Sequence, residues 1–329
     1  RISYRRFSAL VLRISNYEHT NYEHTNYELR TTNYTMRLLL FISVLLLVQT
    51  SCLRLDGNLF NPNANPITEY KLDDYTGPRE CASLPDSFDI PDSLVHLFTI
   101  PINSDEKIYA VYLGDMAQIA TDTVILYCHG NKDHIDLYWN RAKLLANVGG
   151  KNRLGVLIMD YRGYGLSEGK PSEDNLYEDV DKCMQWLQSQ GLTSDRLVMY
   201  GFSMGTAPAT RLTAQPRTLT PMRLILEAPF ASAEVMVQDA ARLAMPASYF
   251  VDLKIDNAEQ IRAVEQPFLW IHGVADDFLS ITTHGEVVYS GYEGQRGTAY
   301  RVANGGHSDV PAIMGYETYL QALQTFIFE

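Results

Sequence analysis

Residues 201 to 205 read Gly201-Phe202-Ser203-Met204-Gly205, set between a strand-like run, Arg196 to Tyr200, and a helical segment of small residues, Thr206 to Thr210. A strand, a tight turn carrying a serine, and a helix make the context of a nucleophile elbow. The turn forces its central residue into a strained backbone conformation and closes only if its flanks are nearly free of side chain, which is why glycine stands two before and two after the serine. Ser203 is expected to lie exposed on this elbow. The five-residue pattern alone is weak, because glycine and serine are common enough for roughly one chain in ten of this length to carry it by accident. The flanking elements strengthen it, and so do an acid and a histidine that follow downstream in order.

Acyl transfer by a serine needs a base, because the free hydroxyl is scarcely ionised near neutral pH. Of the eight histidines, His19 and His24 lie in a repetitive leader and His96 precedes the first expected strand. His307 follows the last expected strand in Asn304-Gly305-Gly306-His307-Ser308-Asp309, a loop able to fold over the elbow. The imidazole needs a carboxylate to hold its tautomer and stabilise its charge. Asp276 and Asp277 follow the Phe268 to Ile271 run in His272-Gly273-Val274-Ala275-Asp276-Asp277, and both can reach. Asp276 is preferred, with Asp277 as a solvated neighbour. Glu227, before Ala228-Pro229-Phe230, is a third candidate whose better reading is a buried anchor.

The rest of the chain supplies the frame. Its 329 residues, 46% hydrophobic and 20% charged, suffice for one large α/β domain or two smaller ones. A net charge of −12, with no cluster of Lys or Arg interleaved with aromatics, argues against a nucleic-acid partner. Leu97 to Ile102 and Ile108 to Leu113, joined by Asn103-Ser104-Asp105-Glu106, read as an antiparallel hairpin at a sheet edge. Apolar runs follow at Val124–Tyr127, Gly155–Met159, Leu197–Met199, Leu224–Leu226, Phe268–Ile271 and Ala299–Val302, continuous as suits strands buried on both faces of a parallel sheet. Leu176, Val180, Cys183, Met184 and Leu187 line one helix face between them. An open sheet of this kind places its site at the carboxyl ends of the strands.

The N-terminus is set apart. Residues 16 to 29 repeat NYEHT-NYEHT-NYEL and the chain opens on Arg1, so residues 1 to 35 read as translated upstream sequence or a disordered leader. From Met36, Arg37 and the apolar run Leu38 to Val48 lead to Gln49-Thr50-Ser51-Cys52, the pattern of a secretory signal over 36 to 51. The cysteine makes it similar to a bacterial lipoprotein signal, with Gln49 where that family prefers Leu. This implies export, a lipid anchor on Cys52 and a place in the bacterial cell envelope. Residues 52 to 96, with Asn61-Pro62-Asn63-Ala64-Asn65-Pro66, suit a tether and then a wrapping segment. Cys81, Cys128 and Cys183 lack metal-ligand spacing and read as small core residues.

The order Ser203, Asp276, His307 is the one found in α/β-hydrolases, and from 97 to the C-terminus the sequence resembles that superfamily. Four motifs carry the likeness: His129-Gly130-Asn131, Asp160-Tyr161-Arg162-Gly163-Tyr164-Gly165, Gly201 to Gly205, and His272-Gly273 leading to Asp276. His-Gly-Asn, Glu227-Ala228-Pro229-Phe230 and the Asp-rich stretch 252 to 256 are most similar to the small-lid branch that holds protein depalmitoylases and many bacterial hydrolases. The resemblance implies an α/β-hydrolase fold, a mostly parallel sheet with helices on both faces, and a small lid at about 231 to 267. It places the acid at Asp276 and the oxyanion donors on the backbone amides of Asn131 and Met204. His129 and His272 are expected as buried structural histidines, and Gly163, Tyr164 and Gly165 as loop-shaping residues without chemistry. Met236, Met245, Tyr249 and Phe250 could line an acyl-chain groove or belong to the core.

The expectation is a serine hydrolase acting on a carboxylic ester, thioester or amide of a small or acylated substrate, with no metal or organic cofactor. A peptidase or acyltransferase on the same residues, or a catalytically silent binding module, are the alternatives.

Overall fold

The computed structural model describes residues 60–62, 65–80, 84–241 and 252–329. The leader repeat, the segment Met36 to Cys52, Cys81, and the lid residues Met245, Tyr249 and Phe250 lie outside them. Eight strands are described: β1 (Val95–Pro101), β2 (Lys107–Leu113), β3 (Val124–Cys128), β4 (Gly155–Met159), β5 (Leu197–Phe202), β6 (Arg223–Glu227), β7 (Phe268–Gly273) and β8 (Gly297–Val302). They form one sheet in the order β1-β2-β4-β3-β5-β6-β7-β8. β1 and β2 make the expected hairpin, Val95 opposite Leu113, with Asn103 Oδ1 accepting from the amides of Asp105 and Glu106 in its turn. β2 runs antiparallel to β4, and from β4 to β8 every pairing is parallel. His96 lies inside β1, opposite Tyr112 and beside the Gly114 carbonyl, rather than ahead of the first strand; the strand begins earlier because Val95 and His96 also find partners on β2.

Helices cover both faces. They are α1 (Ile135–Ala146), α2 (Glu173–Ser189), α3 (Thr206–Ala214), α4 (Ala233–Ala241), α5 (Asn257–Gln260), α6 (Gly285–Gly291), α7 (Val310–Met314) and α8 (Tyr316–Phe328). Because neighbouring side chains of a strand point to opposite faces, the sheet divides its apolar residues between two cores. Leu126, Leu157, Met199 and Leu224 pack with Leu176, Val180, Cys183, Met184 and Leu187 of α2 and with Ala207 and Leu212 of α3. Ile125, Ile158, Val198, Tyr200 and Ile225 pack on the other side with α1 and with Tyr319, Leu320 and Leu323 of α8. Cys128 and Cys183 are buried in the first core, where burial pushes both thiols up.

The segment before β1 is bound along its described length. Two short 3₁₀ turns, Asp86–Phe88 and Asp92–Leu94, lead into β1, and Phe88 and Ile90 reach the α1/α8 core. Upstream, the Arg79 guanidinium donates to the carbonyls of Leu72, Asp73 and Tyr75, while the Asp136 carboxylate on α1 accepts from the amides of Lys71 and Leu72. Asn61 and Asn65, expected in a tether, dock on the loop after β3: Asn61 N donates to Asn131 Oδ1, and Asn65 gives its amide and side-chain N–H to the two carboxylate oxygens of Asp133.

Candidate active site

β5 runs directly into the elbow, and Ser203 takes the left-handed backbone conformation, φ +51°, that the turn requires. The two glycines are there for space: a Cβ on Gly205 would come within 2.0 Å of the Cys128 carbonyl, and one on Gly201 within 2.6 Å of the Gly205 carbonyl. Ser203 is less exposed than expected, at 7% of its surface, because Phe202, Met204 and the loops after β3 and β8 close around it. Its hydroxyl oxygen is nonetheless at the wall of a cleft.

His307 arrives on the loop after β8. That loop approaches β7 closely enough that a Cβ on Gly273 would stand 2.2 Å from the Gly305 carbonyl, and Ala275 N donates to that same carbonyl. His307 Nε2 lies 3.0 Å from Ser203 Oγ and Nδ1 lies 2.8 Å from Asp276 Oδ2. The imidazole sits between the rings of Phe202 and Phe278, 5.3 and 5.0 Å away by centroid. Asp276 is buried and its other oxygen accepts from the amides of Phe278 and Leu279. Asp277 is exposed, and Glu227 is buried at the end of β6 in a separate network with Arg141, Tyr200 and Tyr319. Geometry therefore brings together Ser203, His307 and Asp276, and leaves Asp277 and Glu227 aside.

Burial works to raise the Asp276 carboxyl. The bonds from His272 and His307, the charge of His307 and the Leu279 amide outweigh it and hold the carboxyl below the ordinary carboxylate range. His272 is fully buried: Trp270 Nε1–H points at its Nδ1, and its Nε2 faces the Leu279 carbonyl at 2.9 Å and Asp276 Oδ2 at 3.2 Å. A ring that accepts on Nδ1 carries its proton on Nε2, so His272 donates to the Leu279 carbonyl with Asp276 Oδ2 close beside that bond. His129 is likewise fully buried, with Nδ1 2.8 Å from the Gly130 carbonyl.

Asn131 and Met204 both border the cavity space around Ser203. The Asn131 side chain is fixed by Asn61 N and by the Tyr164 hydroxyl, which also lies 3.7 Å from Met204 Sδ. Tyr164 thus does more than shape its loop: it braces both residues expected to carry the oxyanion donors. Sequence reasoning also passed over Arg141 and Glu80. Arg141, fully buried on α1, spans Glu80, Glu227 and the carbonyl of Ser308, next to the candidate base, and lies 4.6 Å over the Phe202 ring. No spacing rule joins Glu80 to a helix residue so far along the chain.

Two spaces flank Ser203. A cleft of about 560 Å³ is bordered by Asn61, Arg79, Glu80, Lys132, Tyr138 and His307, and an apolar slot of about 40 Å³ by Phe60, Met204, Phe230, Met236, Leu253 and Ile255. Met236 is the one expected groove residue among those described.

The profile of the family described as serine aminopeptidase, S33 matches residues 120–264. Alpha/beta hydrolase domain-containing protein 17C of Mus musculus is 30% identical over 62% of this chain and 59% of its own length, and protein 17B of Xenopus laevis is 30% identical over 62% and 65%. The chain spans less than two thirds of the length of these relatives. An esterase of Pyrococcus furiosus superposes with a TM-score of 0.60 at 15% identity, covering 82% of this chain and 97% of that one. A bromoperoxidase of Bacillus anthracis does so at 0.54 and 16% identity, covering 71% and 100%. The chain is similar to these α/β-hydrolases in sequence and shares their fold. The expected α/β-hydrolase fold holds, with its mostly parallel sheet and helices on both faces.

Proposed function

We propose that the protein cleaves a carboxylic ester or thioester through an acyl-Ser203 intermediate. The observation that carries this reading is the continuous relay from Ser203 Oγ through His307 to Asp276 at a left-handed elbow. His307 Nε2 takes the hydroxyl proton as Oγ attacks the carbonyl carbon, and Asp276 stabilises the imidazolium without itself being protonated. The tetrahedral oxyanion is received by the backbone amides of Asn131 and Met204. His307 then returns the proton to the leaving group, and a water repeats the cycle to release the acid. No step calls for a metal or organic cofactor.

The family description favours a second reading, peptide cleavage beside a free amino terminus. An α-ammonium wants an unengaged carboxylate. Glu80 is the carboxylate bordering the cleft among the described residues, and Arg141 already holds both its oxygens. That supports esters over aminoacyl amides. Reaction with a fluorophosphonate, followed by turnover of acyl esters, acyl thioesters and aminoacyl amides, tests the reading: label on Ser203 with ester or thioester turnover is expected. Label with amide turnover alone would replace it by the peptidase, and no label with no turnover by a silent binding module. The protein is further proposed to be exported and held at a membrane by lipid on Cys52.

A further inference from the structure

We infer that Phe60, on the segment that precedes the domain, sets the length of acyl chain the enzyme accepts, and that the wide cleft on the other side of Ser203 takes the leaving group. The inference rests on the acyl-transfer reading of Ser203. In that chemistry the leaving group must receive its proton from the histidine. His307 and Ser308 border the 560 Å³ cleft and not the apolar slot, so the leaving group departs into the cleft. The acyl chain is left with the slot, where Met204, Phe230, Met236, Leu253 and Ile255 offer only apolar surface.

Residues 60 to 62 lie where the two spaces meet: Phe60 borders the slot and Asn61 the cleft. The segment is pinned to the loop after β3 by Asn61 N to Asn131 Oδ1 at 2.9 Å, by Asp133 N to the Asn61 carbonyl at 3.3 Å, and by the two bonds from Asn65 to Asp133, at 2.6 and 2.8 Å. A half-buried aromatic ring held this way is a wall, not a passing contact. With Phe60 in place the slot is narrow, about 40 Å³ against about 560 Å³ for the cleft, so it favours a short chain. Replacing the ring by a methyl joins the slot to the space the ring occupied. The cleft side has the opposite character: Arg79 and Lys132 border it, and both oxygens of Glu80 are engaged by Arg141, so it suits a polar or anionic leaving group.

The test uses the full chain and p-nitrophenyl acetate, butyrate, octanoate and palmitate. The parent protein should prefer acetate and butyrate. Phe60→Ala should raise the octanoate-to-acetate ratio of kcat/KM by ~10-fold or more, the order expected when an apolar pocket gains room for added methylenes. Phe60→Leu should give a smaller rise. Asn65→Ala, which removes a tie of the segment outside the slot, should move the ratio in the same direction. An unchanged ratio in a Phe60→Ala protein that melts cooperatively and still reacts with fluorophosphonate overturns the inference while the hydrolase reading stands; if that variant does not fold, Phe60→Leu and Asn65→Ala decide in the same way. A parent protein equally active on palmitate and acetate also overturns it. Absence of both label and turnover in the parent removes the hydrolase reading, and this inference with it.

Discussion

Ser203, His307 and Asp276 are held by contacts that differ in kind, and substitution should separate them. Ser203→Ala and His307→Ala should each lower turnover by a factor on the order of 10⁴ to 10⁶ with the melting curve unchanged. Asp276→Asn should cost less than either but far more than Asp277→Asn, since only Asp276 meets the imidazole. If Asp277→Asn proves the more damaging, the acid is misassigned. His272 acts through Asp276: its Nε2, bonded to the Leu279 carbonyl, also lies 3.2 Å from the carboxylate oxygen that meets His307. His272→Leu should lower kcat by up to ~10² with little change in KM, as expected when a reacting group loses its alignment. His272→Gln, which restores an N–H donor, should recover part of it. Equal loss in both variants would reduce His272 to packing. Because Asp276 is held ionised well below the ordinary carboxylate range, its protonation should add no limb to the pH profile of kcat/KM across that range; a fall in activity that tracks Asp276 there would contradict its burial against two histidines.

α1 shows how an element can hide its role. Every residue of Ile135–Ala146 is buried, including Asp136, Arg141 and Lys143, because residues 71–80 and 84–89 cover the face that would otherwise meet water. Lys143 pairs with Asp73 and Asp89, and Arg141 with Glu80 and Glu227. Removing the cation from such a buried arrangement leaves its partners uncompensated, so Arg141→Met should destabilise by about 3–5 kcal/mol. Calorimetry should register that as a fall in Tm on the order of 10 °C for a domain of this size. Glu80→Gln should cost much less, because Glu227 still balances Arg141. Burial raises the Glu80 carboxyl against the pull of Arg141. A raised carboxyl binds its proton more readily folded than unfolded, so its contribution is fully present below the ordinary carboxylate range and is lost as pH rises through the raised folded value. Asp276 behaves oppositely, contributing above the ordinary range and losing that contribution as pH falls through its depressed folded value. Melting curves across the mildly acidic range should therefore show Glu80→Gln less sensitive to rising pH than the parent; an identical slope would contradict the assignment.

At the scale of the whole molecule, one sheet carries the candidate residues on the ends of β5, β7 and β8, and the segment before β1 closes the site from outside. Among the described residues no helix is long and apolar enough to cross a membrane. The proposed attachment is through Cys52, where each buried CH₂ of an acyl chain contributes about 0.8 kcal/mol. Cys52→Ser should move active enzyme from the membrane to the soluble fraction without altering turnover of a small ester. A parent protein found wholly in the soluble fraction, or a mature N-terminus elsewhere than Cys52, would contradict the anchor.

The sequence by itself determined the fold and the candidate nucleophile and base, because those depend on local rules, and narrowed the acid to a preference for Asp276 over Asp277 that the packing of His307 against Asp276 then separated. Apolar runs mark buried strands, α2 shows its helical stripe, and the Gly-x-Ser-x-Gly turn and the residues following strand ends state their geometry within a few positions. Only the tertiary structure decided what surrounds them. Glu80 meets Arg141, Tyr164 meets Asn131, and Phe60 borders the same slot as Met236 through the packing of elements far apart in the chain. α1 went unread for the same reason: its polar residues are satisfied by a covering segment that precedes it by tens of residues, so no stripe appears in its own sequence. Periodicity records which face of an element is buried against one partner; it carries no mark when two partners cover both faces.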